Sequence, residues 1–386
     1  MCYPIMTVDA AKIRNNARKA AELCRKRGIS VWGVTKGLAG DPRLARVYAE
    51  AGIAGIADSR LDNLRRVRDA NVPLPRLLMR IAMPSELPGL PLAADVSLQS
   101  EVSTIRALDE ICADRGVAHE VLLMIDVGDL REGFRPKELH RLGKALGNLR
   151  GGVRISGVAT NFACASGVLP TPEKFRDLAL YRDAAQDALG HALPHISVGG
   201  TCCLKVIEED GAPPEIDQLR ACEGLVLGLD TAFSREIPYL ERGAVVVRAE
   251  VVECREKPSV PDGLLGMQAF GEKPVFIDRG MRRRALLAIG RQDVNVDRLT
   301  PLRNDVHIVT ASSDHLIVDV TEAADVAVGD VLSFSARYPA MLAAATSAYV
   351  AVDFAEGDAE TAHPAYDELI DVALDDAVSP PAESDL

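Results

Sequence analysis

In Val31-Trp32-Gly33-Val34-Thr35-Lys36-Gly37-Leu38-Ala39-Gly40, a short apolar run ends in a lysine, and a glycine follows at once. A run of this length bounded by glycines predicts a buried parallel strand over 31–36, with the next helix beginning near Asp41-Pro42. Barrel enzymes place reacting groups at the carboxyl ends of such strands. We therefore expect Lys36 either to be a nucleophile that forms a Schiff base with a carbonyl compound, or to be a lysine whose apolar stem merely reaches the strand end.

Strands and helices alternate along the following residues. Candidate strands, the first included, lie at 31–36, 54–57, 76–82, 94–98, 119–127, 154–162, 195–200 and 220–228. Helical patterns fill the gaps, and an amphipathic helix with Thr7 as its N-cap is predicted over 7–28. Eight strands with intervening helices predict an α/β fold, a (β/α)8 TIM-like barrel. An open doubly wound sheet is the alternative, but no G-x-G-x-x-G follows the first strand.

The pattern changes after Pro238. Short runs rich in valine and isoleucine alternate there with turn residues, and helical periodicity is largely absent, which predicts β structure. We therefore expect a barrel domain over 1–238, a C-terminal mostly-β domain over 239–355, and an acidic, flexible tail over 356–386.

Charge and cysteine content exclude several classes of function. Ten Asp or Glu residues and no Lys or Arg follow Ala355, so the formal net charge of −12 leaves only −2 for the preceding residues. The body therefore has no basic stripe for nucleic acid, and no apolar stretch approaches the ~20 residues that span a bilayer. The eight cysteines form no C-x-x-C pair and no regular framework, which favours a reducing, cytoplasmic setting.

Polar or glycine-rich segments follow most of the predicted barrel strands. Because the carboxyl ends of parallel strands meet at one face of a barrel, we expect these groups to converge. They are Lys36, Asp58-Ser59-Arg60, Asp126 with Arg131, Asn161, Gly199-Gly200-Thr201 and Arg220. Some of them, Asp58-Ser59 in particular, are equally well explained as helix caps.

The segment Gly199-Gly200-Thr201-Cys202 precedes an apolar turn. Paired glycines let consecutive backbone N–H groups face one anion, although a glycine pair is also typical of a tight turn. Barrels often bind phosphate in the loops after strands seven and eight. A phosphate loop combined with a lysine on strand one predicts an aldehyde cofactor held by its phosphate, which describes pyridoxal 5'-phosphate.

These segments, taken in order, resemble a known family. The series consists of Lys36, 55–60 (GIADSR), 124–133 (MIDVGDLREG), 157–164 (GVATNFAC), 199–201 (GGT), 219–224 (LRACEG), 290–293 (GRQD) and 312–315 (SSDH). It is similar to the alanine racemase-like, fold-type III pyridoxal phosphate enzymes, and most closely to their ornithine racemase branch. The resemblance covers about residues 3–353. It implies a barrel, a β domain, and a head-to-tail homodimer in which each active site lies between one barrel and the partner's β domain.

The resemblance also implies roles for individual residues. Lys36 matches the lysine that binds the cofactor covalently and is a catalytic residue. The implied cofactor-binding positions are Lys36, Arg131 near the phenolic oxygen, Asn161 beside the ring, Gly200, Thr201 and Cys202 in the phosphate loop, Arg220 at the pyridine nitrogen, and Tyr338 at the phosphate. No metal is implied, because the zinc-dependent dehydratases of this fold need a C-terminal His and Cys pair and no cysteine follows Cys254.

Arg220 can also be argued from its chemistry. A guanidinium stays protonated and only donates, so a pyridine nitrogen facing it must accept and remain unprotonated. Such a ring is a weak electron sink, which favours rapid return of the α-proton, as racemisation needs, over transamination or decarboxylation. Glu223 is the alternative partner for that nitrogen.

The sequence departs from the family pattern at the second proton donor. Alanine racemases supply a tyrosine in a Gly-Tyr-x-Asp-Gly motif, and Arg291 stands in its place here. Asp293 and His315 are the predicted catalytic replacements, with Asp314, Cys202 and Cys203 as further candidates, and a one-base mechanism through Lys36 stays open. His315 is equally well explained as a strand-end residue.

Arg291, Ser313 and Asp314 are the predicted substrate-binding residues. In the related decarboxylases, the aspartate that corresponds to Asp314 meets a distal ammonium, which suggests a dibasic substrate; the alternative is a turn residue. We expect a racemase that interconverts L- and D-amino acids, with ornithine or another basic amino acid as substrate. The alternatives are an alanine or broad-specificity racemase, a decarboxylase or lyase of the same fold, and a non-enzymatic cofactor carrier, against which the β domain argues.

Overall fold

The computed structural model describes residues 3–271, 273 and 275–357. The chain begins with strand β1 (Ile5–Asp9), which runs directly into helix α1 (Ala10–Arg25). The predicted cap Thr7 is wrong: Thr7 lies inside β1, where its Oγ1 accepts a hydrogen bond from Arg248 (2.6 Å). Asp9 caps the helix instead, because its side chain accepts from the Lys12 N–H (3.1 Å). The predicted tail lies outside the described residues from position 358 onward.

Eight parallel strands close into a barrel, which confirms the predicted fold. They are β2 (Ser30–Val34), β3 (Gly55–Asp58), β4 (Arg76–Leu78), β5 (Val96–Gln99), β6 (His119–Met124), β7 (Val153–Asn161), β8 (His195–Gly199) and β9 (Gln218–Ala221). The last strand pairs with the first, with Trp32 opposite Arg220. The predicted eighth strand, 220–228, was wrong from residue 222 onward, because β9 ends at Ala221.

Helices cover the outside of the barrel. After α1 they are α2 (Pro42–Glu50), α3 (Leu61–Asp69), α4 (Leu90–Ala93), α5 (Val102–Arg115), α6 (Leu142–Leu146), α7 (Pro172–Leu189), α8 (Cys203–Glu208) and α9 (Glu223–Leu227). Helix α9 lies where the later part of the eighth strand was predicted. Its residues Leu225, Val226 and Leu227 are all buried, and a fully apolar run has no periodicity by which a helix can be told from a strand. No helix in the described part of the chain is long and apolar enough to cross a membrane.

The C-terminal domain is an antiparallel sheet, which confirms the predicted mostly-β domain. A short antiparallel hairpin precedes the sheet; its two strands, β10 (Leu229–Asp230) and β11 (Arg235–Glu236), have two residues each. The sheet is formed by β12 (Val245–Pro258), β13 (Met281–Leu287), β14 (Leu299–Pro301), β15 (His307–Ala311), β16 (Leu316–Asp319), β17 (Val331–Ala336) and β18 (Ala351–Ala355), with helix α10 (Tyr338–Thr346) before the last strand. Strand β1 joins the same sheet, antiparallel to β12 and parallel to β18, so both ends of the described chain anchor it.

Apolar side chains fill the barrel beneath its carboxyl-end face. They include Trp32, Val34, Leu77, Leu98, Leu122 and Met124. The Trp32 ring packs over Gly55 of the neighbouring strand, where a Cβ would lie 2.4 Å from the indole Cε3 atom. Gly55 therefore makes room for the ring, and the packed interior forms a solid floor below the strand ends.

Candidate active site

A cavity of about 690 Å³ opens at the carboxyl ends of the barrel strands. The structure brings together in its wall all eight residues predicted to bind a cofactor: Lys36, Arg131, Asn161, Gly200, Thr201, Cys202, Arg220 and Tyr338. Seven come from the barrel, and Tyr338 is the first residue of α10, so the C-terminal domain of the same chain closes one side. Their individual roles stay predictions.

Lys36 lies on a 3₁₀ turn (Lys36–Leu38) directly after β2, with its side chain partly buried. The preceding Thr35 donates its hydroxyl to the buried Asp58 carboxylate (2.7 Å), which also accepts from the Arg60 N–H and the Asn63 amide (both 2.9 Å). Burial raises the pKa of Asp58. Asp58 thus ties the end of β2 to the end of β3 and to the residues that begin α3, which fixes the backbone next to Lys36.

Tyr338 packs against the turn that carries Lys36. A Cβ at Gly37 would lie 2.9 Å from Met341 Cε, 3.1 Å from Cys222 Sγ and 3.4 Å from Tyr338 Cε2. Only glycine therefore lets α10 approach this closely. Burial raises the pKa of the Tyr338 phenol, which remains a neutral hydrogen-bond donor at the cavity wall.

Arg220 is a charged side chain buried inside the barrel, 1% exposed. Its Nη2 donates to the Thr160 carbonyl (2.7 Å) and to Asn161 Oδ1 (3.0 Å), and its Nη1 donates to Ser197. Its buried Nε has no partner among the described residues. Burial lowers the pKa of Arg220 to about 10, so the guanidinium is still charged at neutral pH. The cavity wall therefore offers an unused donor to an acceptor atom such as an aromatic nitrogen.

The glycine-rich loop differs from the prediction in one respect. The Gly200 N–H donates to the Arg220 carbonyl (3.0 Å), so this amide is not available to an anion. Gly200 has a φ of 122°, which suits glycine, and it turns the chain toward α8. The amides of Thr201 and Cys202 donate to no backbone acceptor in the described structure, and these two remain for a phosphate.

Glu132 is a cavity residue that the sequence reasoning missed. Its carboxylate pairs with Arg131 and accepts from Asn161 Nδ2 (3.0 Å). Arg131 Nη1 also contacts Cys164 Sγ (2.6 Å). Only the position of Glu132 in the loop after a barrel strand could have indicated this role. Glu223, the predicted alternative to Arg220, instead accepts from the Thr231 N–H (3.1 Å) and hydroxyl (2.5 Å).

The remaining predicted residues lie in the C-terminal sheet, outside the cavity of their own chain. They are Arg291, Asp293, Ser313, Asp314 and His315. The two loops that carry them touch, because the Arg291 N–H donates to the Ser312 carbonyl (2.9 Å) and a Cβ at Gly290 would lie 2.3 Å from the Ser313 oxygen. The structure therefore gathers the predicted substrate-binding residues into one cluster on the β domain.

Within this cluster, Asp293 and His315 have different environments. Asp293 is 4% exposed, and its carboxylate accepts from the Gly290 N–H (3.0 Å) and the Ser347 hydroxyl (3.4 Å), so it holds a turn. The imidazole of His315 keeps 42% exposure, with Nδ1 3.3 Å from Asp314 Oδ1. A hydrogen bond from Ser312 lowers the pKa of the exposed Asp314 carboxyl. His315 and Asp314 are therefore accessible to a ligand, and Asp293 is committed to the turn.

Residues 8–220 match the model of the family described as alanine racemase, N-terminal domain. The chain belongs to the alanine racemase family. Two relatives match it over almost their whole length: the lysine racemase of Thermotoga maritima (38% identity over 351 residues, 91% of this chain and 98% of that protein) and the ornithine racemase of Acetoanaerobium sticklandii (34% over 350 residues, 90% and 98%). The predicted enzyme class, an isomerase that acts as an amino-acid racemase, is thereby confirmed.

Solved structures agree on the fold. An alanine racemase from Clostridium difficile 630 superposes with a TM-score of 0.71 at 16% identity, covering 92% of this chain and 97% of its own. D-threonine aldolase from Filomicrobium marinum gives 0.68 at 18% identity, covering 89% and 88%. At these identities the likeness extends to the architecture and not to the reaction.

Proposed function

We propose that this racemase acts on basic amino acids, ornithine or lysine, with pyridoxal phosphate as cofactor. The observation that carries the proposal is the full-length similarity to a lysine racemase and an ornithine racemase. The cavity residues support it, because they combine an amine, an unused guanidinium donor and two free backbone amides in one wall.

The side chains around the cavity fit the proposed cofactor. Lys36 would hold its carbonyl carbon, the orphaned Arg220 Nε would donate to its ring nitrogen, and the amides of Thr201 and Cys202 with the Tyr338 hydroxyl would hold its phosphate. When bound, pyridoxal phosphate supplies an electron-withdrawing ring that acidifies the α-carbon of an amino acid.

Lys36 and a second group then divide the work of moving the α-proton. The Lys36 amine would take or return that proton on one face of the substrate. A donor is needed on the opposite face, and we propose His315, whose imidazole is 42% exposed and whose ring nitrogens can donate or accept a proton. Asp293 has a weaker case, because both of its oxygens already hold the turn.

His315 reaches such a position only in a head-to-tail homodimer, in which the β-domain cluster of one protomer covers the cavity of the other. Arg291 and Ser313 of that cluster would then bind the substrate carboxylate, and Asp314 would meet the distal ammonium, a charged hydrogen bond worth roughly 1.5–3 kcal/mol. We also propose a cytoplasmic location, because all seven cysteines in the described residues are free.

Mixing two inactive variants tests the shared site. Lys36→Ala and His315→Ala are each expected to be inactive, and mixed dimers would contain one site with both groups intact. Random exchange of subunits should restore about a quarter of the wild-type activity, since half of the dimers are mixed and each has one good site. If light scattering gives a monomer, or if mixing restores nothing, the shared site is wrong.

A substrate panel in deuterated water tests the reaction. The protein is incubated with L-ornithine, L-lysine and L-alanine, and chirality, α-deuteration, ammonia and carbon dioxide are followed together. We expect solvent label in both enantiomers of the basic amino acids, with little ammonia or carbon dioxide. Preferential turnover of alanine would contradict the proposed substrate class, and an amine as the main product would contradict racemisation.

A further inference from the structure

Glu132 is a carboxylate that links two of the arginines in the cavity wall, Arg131 directly and Arg220 through Asn161. Its two carboxylate oxygens accept from Nε and Nη2 on one edge of the Arg131 guanidinium, and it also accepts from Asn161 Nδ2 at 3.0 Å. Asn161 in turn accepts from Arg220 Nη2 at 3.0 Å. A continuous series of hydrogen bonds therefore runs from Arg131 at the mouth of the cavity to the guanidinium inside the barrel.

The chemistry of these groups fixes the orientation of the amide between them. A guanidinium only donates, so the side of Asn161 that faces Arg220 must be its oxygen. A carboxylate only accepts, so the side that faces Glu132 must be its NH₂ group. If Glu132 were replaced by a neutral amide, the paired contact with Arg131 would no longer be enforced, and only Arg220 would hold the orientation of Asn161.

Glu132 also supplies the balancing charge at this wall. Its side chain is 18% exposed, against 38% for Arg131, so water screens the carboxylate less than its partner. Hydrogen bonding to Glu132 raises the pKa of Arg131, and its charge also favours the protonated form of Arg220, against the effect of burial. Without Glu132, two guanidinium groups would share this wall with no anion between them.

We propose that Glu132 is the positioning residue of this cavity, which holds Arg131 and Asn161 in the orientations in which they meet a bound cofactor. The catalytic part of the proposal rests on the proposed function. The positioning itself is a property of the protein alone and can be measured without cofactor or substrate.

Cys164 reports on the position of Arg131 in the cofactor-free protein. Its exposed thiol lies 2.6 Å from Arg131 Nη1. In Glu132→Gln the Arg131 charge is no longer neutralised, and a neighbouring guanidinium favours the reactive thiolate. Alkylation of Cys164 by iodoacetamide, followed by peptide mass spectrometry, should therefore be at least about threefold faster in Glu132→Gln than in the wild type. Glu132→Asp keeps the charge and should stay near the wild-type rate.

Glu173→Gln is the matched control, because Glu173 pairs with Arg176 (2.8 Å) on the exposed face of α7, away from the cavity.

In the holoenzyme we expect Glu132→Gln to shift the absorbance maximum of the bound cofactor and to lower kcat about tenfold or more, with KM for ornithine changed less than about threefold. Glu132→Asp should recover part of kcat. The thermal unfolding temperatures of both Glu132 variants should equal that of the wild type.

The outcomes separate this proposal from the proposed function. An equal Cys164 alkylation rate in Glu132→Gln and Glu173→Gln overturns the positioning role, whether or not the protein binds cofactor. A wild-type protein that binds no pyridoxal phosphate overturns the proposed function and leaves the alkylation result to decide on Glu132. Faster alkylation with an unchanged spectrum and unchanged kcat would overturn the catalytic part.

Discussion

Gly199 is the position where one added methyl group should damage the site most selectively. A Cβ there would lie 2.3 Å from Asn161 Oδ1 and 2.5 Å from Arg220 Nη2, far inside van der Waals contact. Both neighbours are held by other hydrogen bonds, Arg220 by Thr160 and Asn161 by Glu132. In Gly199→Ala they must therefore move, and the contact between them is the one that is lost.

The expected size of the effect follows from these contacts. Overpacking a well-packed interior destabilises by about 1–3 kcal/mol. For a domain of barrel size each kcal/mol lowers Tm by about 2–4 °C, so we expect a fall of roughly 2–12 °C. A hydrogen bond to a charged group is worth about 1.5–3 kcal/mol, so moving Arg220 Nε out of its proposed contact with the ring nitrogen should weaken pyridoxal phosphate binding by roughly 10- to 100-fold.

The assay uses the single tryptophan of the chain. Trp32 lies inside the barrel beneath the cavity, and quenching of its fluorescence reports cofactor binding to the apoprotein. Gly266→Ala is the matched control, because no atom lies within 4 Å of a Cβ at that position. If Gly199→Ala binds the cofactor as tightly as Gly266→Ala and unfolds at the same temperature, the packing argument for this wall is wrong.

Two further predictions concern stability and the second donor. Burial lowers the pKa of His119 to about 4 in the folded protein, whereas in the unfolded chain it is about 6.5. Between these values the unfolded chain binds a proton that the folded protein does not. His119 therefore makes the free energy of unfolding fall as the pH drops below about 6.5. Between about pH 7.5 and pH 5, His119 should lower the free energy of unfolding by on the order of 2 kcal/mol. Urea unfolding at the two pH values should therefore show a smaller fall in the free energy of unfolding for His119→Gln than for the wild type. Asp293→Asn keeps an oxygen that can accept from the Gly290 N–H, so it should retain most of the racemase activity. A loss of kcat of about 100-fold or more with unchanged thermal unfolding would instead make Asp293 catalytic.

The barrel was predictable because its signals are local. Each strand is a short apolar run bounded by turn residues, and polar groups follow most of them, so the order of elements alone places Lys36 and Arg220 at one face. Helices such as α5 and α7 fill the gaps between the strands, as predicted, for the same reason.

Long-range pairing and local competition for hydrogen bonds were not predictable. Residues 5–9 form a strand because they pair with β12 and β18, which lie at the other end of the chain. The amide of Gly200 is used by the Arg220 carbonyl, a contact that only barrel closure creates. Glu132 lies inside the segment 124–133, but nothing in that segment indicates its role, which follows from where Asn161 and Arg131 place their donors.

The central claim is that the Lys36 amine binds the cofactor covalently. The purified protein is saturated with pyridoxal phosphate, reduced with borohydride, digested, and analysed by peptide mass spectrometry. Lys205 of α8, which pairs with Glu209 outside the cavity, is the internal control lysine. We predict a pyridoxyl adduct on the peptide that contains Lys36, present in the wild type and absent in Lys36→Ala. An adduct only on Lys205 and other surface lysines, with the Lys36 peptide unmodified, would contradict the account.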